Sequence, residues 1–311
     1  MSNLFIIGNG FDLAHGLPTS YEHFHQYLVN NYPGSLEKEP SFNIEGTTTP
    51  NGGIKFDDDE LVAFIIGVIS AAEEDGENWC DIERNLGLLD FSMYFSDMSY
   101  LYGHEQDDNA FSRRVHRYED VSGNFHLAML EVKSLFSRWV ASIDTSKVSD
   151  KIAFHNLIHP EEDTFLTFNY TNVLEEVYGA IDVNHIHGAQ REKIVIGHGE
   201  TYRDSSEQYT GSEYSLMKLH DALRKNTEEI IEKENCFFSN LQDIDKIYSH
   251  GFSFSKVDLP YIKEICNRLD TKNIIWYLND YDSKEKICNY INTIMDCGFK
   301  GRFSIFGLDQ K

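Results

Sequence analysis

"IIGNGFDLAHGLPTSY", residues 6–21, joins an apolar run to Gly8-Asn9-Gly10, then an acid at Asp12, then Gly16-Leu17-Pro18. Just upstream, Leu4, Phe5, Ile6 and Ile7 are consecutive rather than alternating, the pattern of a strand buried on both faces. A glycine turn bounds the run, so Asn3–Gly8 is expected to be a strand that feeds directly into a βα turn.

The same kind of run returns only far downstream. After Pro160, short apolar segments bounded by turn residues lie at Thr164–Phe168, Val183–Ile186, Ile194–Gly197, Ile247–Ser249, Asn273–Leu278 and Phe303–Phe306. Helical patterns at Asn172–Tyr178, Leu216–Glu234, Leu259–Leu269 and Ser283–Met295 separate several of them. Strands alternating with helices predict an α/β fold with a Rossmann-like open, mainly parallel sheet covered on both faces. The N-terminal strand has no comparable partner nearby and is expected to join that later sheet. Residues 1–21 and 160–311 then form the Rossmann-like core, and 22–159 a large helical insertion after the first strand. Within the insertion, apolar residues recur at spacings of three and four over Asp58–Glu74, Ile82–Tyr102 and Phe111–Ile143, which predicts helices. Ser35–Gly53, rich in Gly, Pro, Thr and Asn, reads as a loop.

The 311 residues carry 27 Lys+Arg against 51 Asp+Glu, a net charge of −24. Such a field disfavours a nonspecific grip on nucleic acid or anionic lipid, because both depend on clustered cations. Arg113-Arg114-Val115-His116-Arg117 is the dense basic stretch and reads as a solvated helix face. Nuclease chemistry through His and Glu83 fits this charge poorly. Cys80, Cys236, Cys266, Cys288 and Cys297 are widely spaced with no C-x-x-C pair, so neither a disulfide framework nor a zinc ribbon is expected. The longest apolar run, Leu61–Ala72, falls short of the ~20 residues that span a bilayer. No secretion signal is legible, and a cytoplasmic location away from membranes is expected.

In open α/β sheets ligands gather at the carboxyl ends of strands. The residues predicted there are Gly8-Asn9-Gly10-Phe11-Asp12, Asn169-Tyr170-Thr171-Asn172, His185-Ile186-His187-Gly188, Gly197-His198-Gly199-Glu200 and His250-Gly251-Phe252-Ser253. Glycines after a strand allow backbone N–H groups to approach a phosphate closely. A tight turn without a ligand accounts for Gly8 and Gly10 equally well, since Leu13 leaves the G-x-G-x-x-G pattern incomplete. Asp12 would repel a phosphate unless it faced ribose hydroxyls or a cation. His185 and His187 are expected to point apart rather than share one ion with His198, so no metal is expected. A neutral imidazole at His187 could take a proton from a substrate hydroxyl near neutral pH.

As a set, "IIGNGFDLAHGLPTSY", "WCDIERNLG", "TFNYTNVLE", "HIHGA", "IGHGE" and "IYSHGFSFSKVDLPYIKEI" resemble the bacteriophage abortive-infection AbiH family, from residue 6 to about 265. The resemblance implies a bacterial anti-phage protein. More distantly, the same segments are similar to the sirtuin-like NAD-binding fold, in which a G-A-G-x-S turn, a G-I-P, a T-x-N-x-D, an H-G and a later G-x-S recur. Gly8–Asp12, Gly16-Leu17-Pro18, Thr167–Thr171, His187-Gly188 and Gly251-Phe252-Ser253 echo them in turn. That likeness implies NAD or a related nucleotide as ligand or substrate, bound by Gly8, Asn9, Gly10, Phe11, Asp12, Gly188, His198, Gly251 and Ser253. It gives Asn169 the role of holding a water or the nicotinamide ribose, and His187 that of base on a ribose hydroxyl. Asp12 stands where sirtuins have Ser, Thr171 where they have Asp, and the paired-cysteine zinc module is absent, so deacetylation is not expected. Cleavage of the N-glycosidic bond of NAD is the reaction implied. The alternative is a non-catalytic module that senses a nucleotide and binds a protein. A phage or host protein trigger and a homo-oligomer are both open as partners. Trp79, Asp81 and Glu83 have no sirtuin counterpart; Glu83 reaches the ligand only if the insertion folds over the strand ends.

Overall fold

Leu4, Phe5, Ile6 and Ile7 have no exposed surface, and in the computed structural model they lie at the centre of a six-stranded sheet. The structure describes residues 2–38, 44–73, 81–96, 109–202 and 209–308. The strands are β1 (Ser2–Ile7), β2 (Thr164–Thr167), β3 (Asp182–His185), β4 (Ile244–His250), β5 (Ile275–Asn279) and β6 (Arg302–Phe306). They run in the order β3-β2-β1-β4-β5-β6, and every neighbouring pair is parallel. This is the doubly wound, Rossmann-like arrangement, in which the strand order reverses between β1 and β4. Ile7 is level with Thr167 on one side and His250 on the other. The turns that follow these three strands therefore emerge side by side.

Each face of the sheet has its own packing. On one, Phe165, Phe5, Tyr248 and Tyr277 stack across four adjacent strands with ring centroids 5.1, 4.8 and 4.6 Å apart. On the other, Leu4, Ile6, Leu166, Ile247, Trp276 and Leu278 meet the apolar stripes of helices Leu259–Arg268 and Lys284–Asp296. Ile287, Tyr290 and Ile294 of the second helix are buried at the three- and four-residue spacing of a helix face. Ser283 caps that helix by accepting the Lys286 N–H.

The chain forms two compact units: Met1–Ser20, Val140–Val195 and Asn226–Lys311 make one, and Tyr21–Trp139 with Ile196–Lys225 make the other. The first holds the sheet. In the second, helices Tyr21–Asn31, Asp58–Ala71 and most of Ala110–Ser142 enclose an aromatic core in which Phe64, Phe91, Tyr94 and Phe95 surround Phe125 at 5.1 to 5.7 Å. Among the described residues no helix is long and apolar enough to cross a membrane.

Three local expectations are corrected. Ile194–Gly197 is not a strand. Its Val195 N–H is donated to His187 O at 2.8 Å, closing a turn, and the residues that follow make an isolated parallel bridge between His198 and Arg224. A short apolar run thus spends its backbone groups locally instead of extending a sheet edge. Leu216–Glu234 is two helices, Glu213–Leu223 and Thr227–Lys233, because Arg224 is extended and Asn226 caps a new start by accepting the Glu229 N–H. The Asn-x-x-Glu spacing that marks this start was legible in the sequence. The loop at Ser35–Gly53 includes the end of a 3-10 turn, Pro33–Glu37, and one arm of a two-residue antiparallel ladder, Thr47–Thr48 with Ile54–Lys55. Trp79, the end of the helix predicted to Tyr102 and the acidic stretch 105–108 lie outside the described residues.

Candidate functional site

The turn after β1 leads into a short helix, Asn9–Ala14, that buries Phe11 and Asp12. Asp12 is 1% exposed, and both of its oxygens are engaged by the turn after β2. Oδ1 accepts from Asn169 Nδ2 at 2.9 Å and Oδ2 from Thr171 Oγ1 at 2.8 Å. Burial pushes the Asp12 carboxyl up to about 7, against the opposing pull of those two hydrogen bonds. Residues 157 and 159 positions apart in the chain are joined here because β1 and β2 are neighbours.

Asn169 is fixed on three sides. Its N–H donates to Thr167 Oγ1 at 3.1 Å, its Nδ2 to Asp12, and its carbonyl accepts from His185 Nδ1 at 2.9 Å. The remaining group, Oδ1, is buried without a hydrogen-bond partner. His185 Nε2 lies 2.8 Å from Glu175 Oε1. Both acceptors lack protons to share, so this geometry suits a His185 protonated on both nitrogens. Burial opposes that charge, but the hydrogen bond and charge of Glu175 outweigh it and raise the His185 pKa.

His187 lies beyond the end of β3, 3% exposed, with its ring 5.4 Å from Phe168 and 5.6 Å from Tyr261. Its Nε2 is 3.6 Å from Asp258 Oδ1, and Asp258 Oδ2 accepts from Ser255 Oγ at 2.9 Å. His185 and His187 thus have different surroundings. Alternation along a strand places residues two apart on the same face, so it is the end of β3 at His185 that separates them. Gly188 adopts a φ of +82°, and a Cβ there would lie 2.3 Å from Lys193 O.

The glycines of the first turn serve a close backbone approach. A Cβ on Gly8 would lie 2.5 Å from Gly251 O, and one on Gly10 would lie 2.7 Å from Gly251 Cα. The N–H groups of Gly8, Gly10 and Phe11 donate to His250 O, Gly251 O and Gly8 O at 3.0, 2.9 and 2.9 Å. The Asn9 side chain bonds Thr19 O at 2.9 Å. Ser253 is exposed.

Beside this paired turn, at the carboxyl ends of β1, β4 and β5, is a cavity of about 340 Å³ bounded by Gly10, His15, Lys151, His250, Gly251 and Asp280, among others. It lies where the strand order reverses, the place an open α/β sheet offers a ligand. Burial holds the His250 imidazole down to about 4, so it is neutral, and its buried Nδ1 has no hydrogen-bond partner. His15 is also held low by burial. Its Nδ1–H donates to Phe11 O at 2.7 Å and its Nε2 accepts from Tyr178 O–H at 2.6 Å, while that oxygen accepts the Lys151 N–H at 2.8 Å. Sequence reasoning missed His15 and Asp280. Asp280 was findable, because it follows a predicted strand; His15 was not, because nothing local marks it.

Glu83 and His198 belong to the helical unit. Glu83 Oε1 accepts from Lys225 Nζ at 2.7 Å and from Gly197 N–H at 3.4 Å, and the Lys225 side chain is fully buried. Asp81 caps helix Ile82–Leu86 by accepting the Arg84 N–H at 3.1 Å. His198 Nε2–H donates to His220 O at 3.0 Å, and its Nδ1 accepts the Glu200 N–H at 3.2 Å. Burial holds His198 down to about 4, in keeping with a neutral ring whose tautomer these partners set. Among the described residues no group of three His, Cys, Asp or Glu side chains is placed to hold a metal ion.

The family model "Bacteriophage abortive infection AbiH" matches residues 4–280. Comparison with curated proteins and with solved structures gave no significant match.

Proposed function

Because the chain belongs to the AbiH family of bacteriophage abortive-infection proteins, we propose that its sheet unit is a nucleotide site that serves phage defence by hydrolysing the N-glycosidic bond of NAD or a close relative. The observation that carries this reading is the Asn169 carboxamide oxygen, buried and left without a partner, on a side chain whose nitrogen is held by Asp12 and a backbone held by Thr167 and His185. A buried acceptor left unmade costs roughly 1–3 kcal/mol, and a native protein tolerates that where a water or ligand completes the bond. Asn169 Oδ1 would hold the attacking water or a ribose hydroxyl without adding a charge to be desolvated.

His187 fits the base that draws a proton from a ribose hydroxyl, with Asp258 as the group that orients its ring. The cavity bounded by Gly10, His250, Gly251 and Asp280 is of a size to take part of the nucleotide. Asp280 offers an acceptor for hydroxyls there, and Lys151 a cation for phosphate. In the reaction the C1′–N bond breaks with its electron pair leaving on nicotinamide, and water adds to C1′ as it gives up a proton.

Asn169→Ala and His187→Ala are each expected to lower nicotinamide release from NAD by about a hundredfold or more, the scale of a positioned polar or acid–base group, while nucleotide affinity stays within a few fold. Loss of phage protection is expected to follow loss of turnover. Full protection by either variant with NAD levels unchanged would replace this reading with a nucleotide sensor that binds a protein, which the complete engagement of Asp12 by Asn169 and Thr171 favours.

A further inference from the structure

The motifs at residues 79–87 and 196–200 are not used by the nucleotide site proposed above. Within the helical unit they meet. A Cβ on Gly87 would lie 2.8 Å from both His198 and Glu200, so glycine lets helix Ile82–Leu86 close onto the second motif. The His198 ring in turn lies 4.2 Å from that of His220, and His220 borders a cavity of about 330 Å³. The walls of that cavity include Phe91, Phe95, Tyr202 and Tyr209 with Leu86 and Leu219.

We propose that this cavity is a second ligand site, for a neutral nitrogen heteroaromatic of the size of a nucleobase or nicotinamide. The walls come first: aromatic rings and leucines suit a flat, weakly polar ligand. Polarity supports the same class. His220 Nε2 is buried with no hydrogen bond, and Asp221 Oδ1 stands 3.9 Å from its Nδ1, beyond hydrogen-bond range. In either tautomer His220 Nε2 presents a donor or an acceptor, and a heterocycle that carries both kinds of group can match whichever it is. Charge points the same way: among the described residues lining the cavity there is no Lys or Arg, and Asp90 contributes a carboxylate, so a phosphate or a carboxylate ligand would find no counter-charge among them. The two motifs therefore act as positioning elements that brace His220 from behind.

The test titrates the full chain separately with adenine, nicotinamide and, as an anionic control, benzoate, followed by calorimetry. Adenine or nicotinamide is expected to bind with a Kd of about 10 µM to 1 mM, and benzoate not to bind. His220→Leu and Tyr202→Ala are each expected to weaken that binding about tenfold or more, with the unliganded thermal midpoint of His220→Leu no lower than the parent's, because no hydrogen bond to the ring nitrogens is lost. Saturating ADP-ribose, which would fill the strand-end site and carries phosphates that this cavity's described lining does not neutralise, is expected to leave nicotinamide binding unchanged, which separates this site from the strand-end site. Failure of both heterocycles to bind, unchanged affinity in both cavity variants, or displacement of nicotinamide by ADP-ribose would overturn the proposal.

Discussion

Asp12→Asn is expected to make the protein more stable at pH 8 than its parent, and the advantage is expected to shrink as the pH falls toward 5. In the folded chain burial raises the Asp12 carboxyl from 3.8 to about 7. Between those values the unfolded chain has released its proton while the folded chain holds it. The contribution of this group to stability is thus present below 3.8 and lost as the pH rises through 7. Linkage sets the gap between variant and parent to widen by about 3 kcal/mol between pH 5 and pH 8. Asparagine preserves the geometry: its Oδ1 can accept from Asn169 Nδ2, and its Nδ2 can donate to Thr171 Oγ1, in place of the two bonds that Asp12 makes. Urea denaturation of both proteins at the two pH values measures the gap, since all other titrations cancel. A constant gap would mean that Asp12 ionises in the folded state as it does in water. That the chain keeps a destabilising acid beside Asn169 accords with a role for this corner in function rather than in stability.

Gly251→Ala is expected to cost about 3 kcal/mol or more. Two effects add. Gly251 has a φ of +66°, and its new Cβ would lie 2.3 Å from Phe11 N and 2.6 Å from Gly10 C, both backbone atoms with no rotamer to escape into. Gly179 separates the two effects, because it has a φ of +68° and a Cβ added there would meet nothing within 4 Å. Gly179→Ala therefore carries the left-handed strain alone, about 1 kcal/mol. Equal losses of stability for the two variants in thermal or chemical denaturation would show that the packing of the β1 and β4 turns has room to relax. The larger loss at Gly251 would identify the glycines of the first turn as a backbone-packing device, whatever ligand lies beyond them.

The local sequence was sufficient for the strands that matter most. Leu4–Ile7 announces itself as a consecutive apolar run because a strand buried on both faces needs apolar residues at every position, and Thr164–Phe168 and Asn273–Leu278 stand out as short apolar runs between turn signals. It was sufficient also for the motif set that marks the family, and for Asn169 and His187 as residues at strand ends. Ile194–Gly197 shows the limit. Its composition equals that of a strand, yet its Val195 N–H turns back to His187 O and its Gly197 N–H goes to Glu83 Oε1, the second a partner distant in the chain. The same holds for function. Nothing near Asp12 in the sequence shows that its oxygens face Asn169 and Thr171, or that burial raises its pKa; nothing near Glu83 points to Lys225. Periodicity and turn chemistry are local and can be read along the chain. Desolvation, close backbone approach and a buried acceptor left without a partner depend on which distant segments are brought together, and for this protein only the tertiary structure decided those.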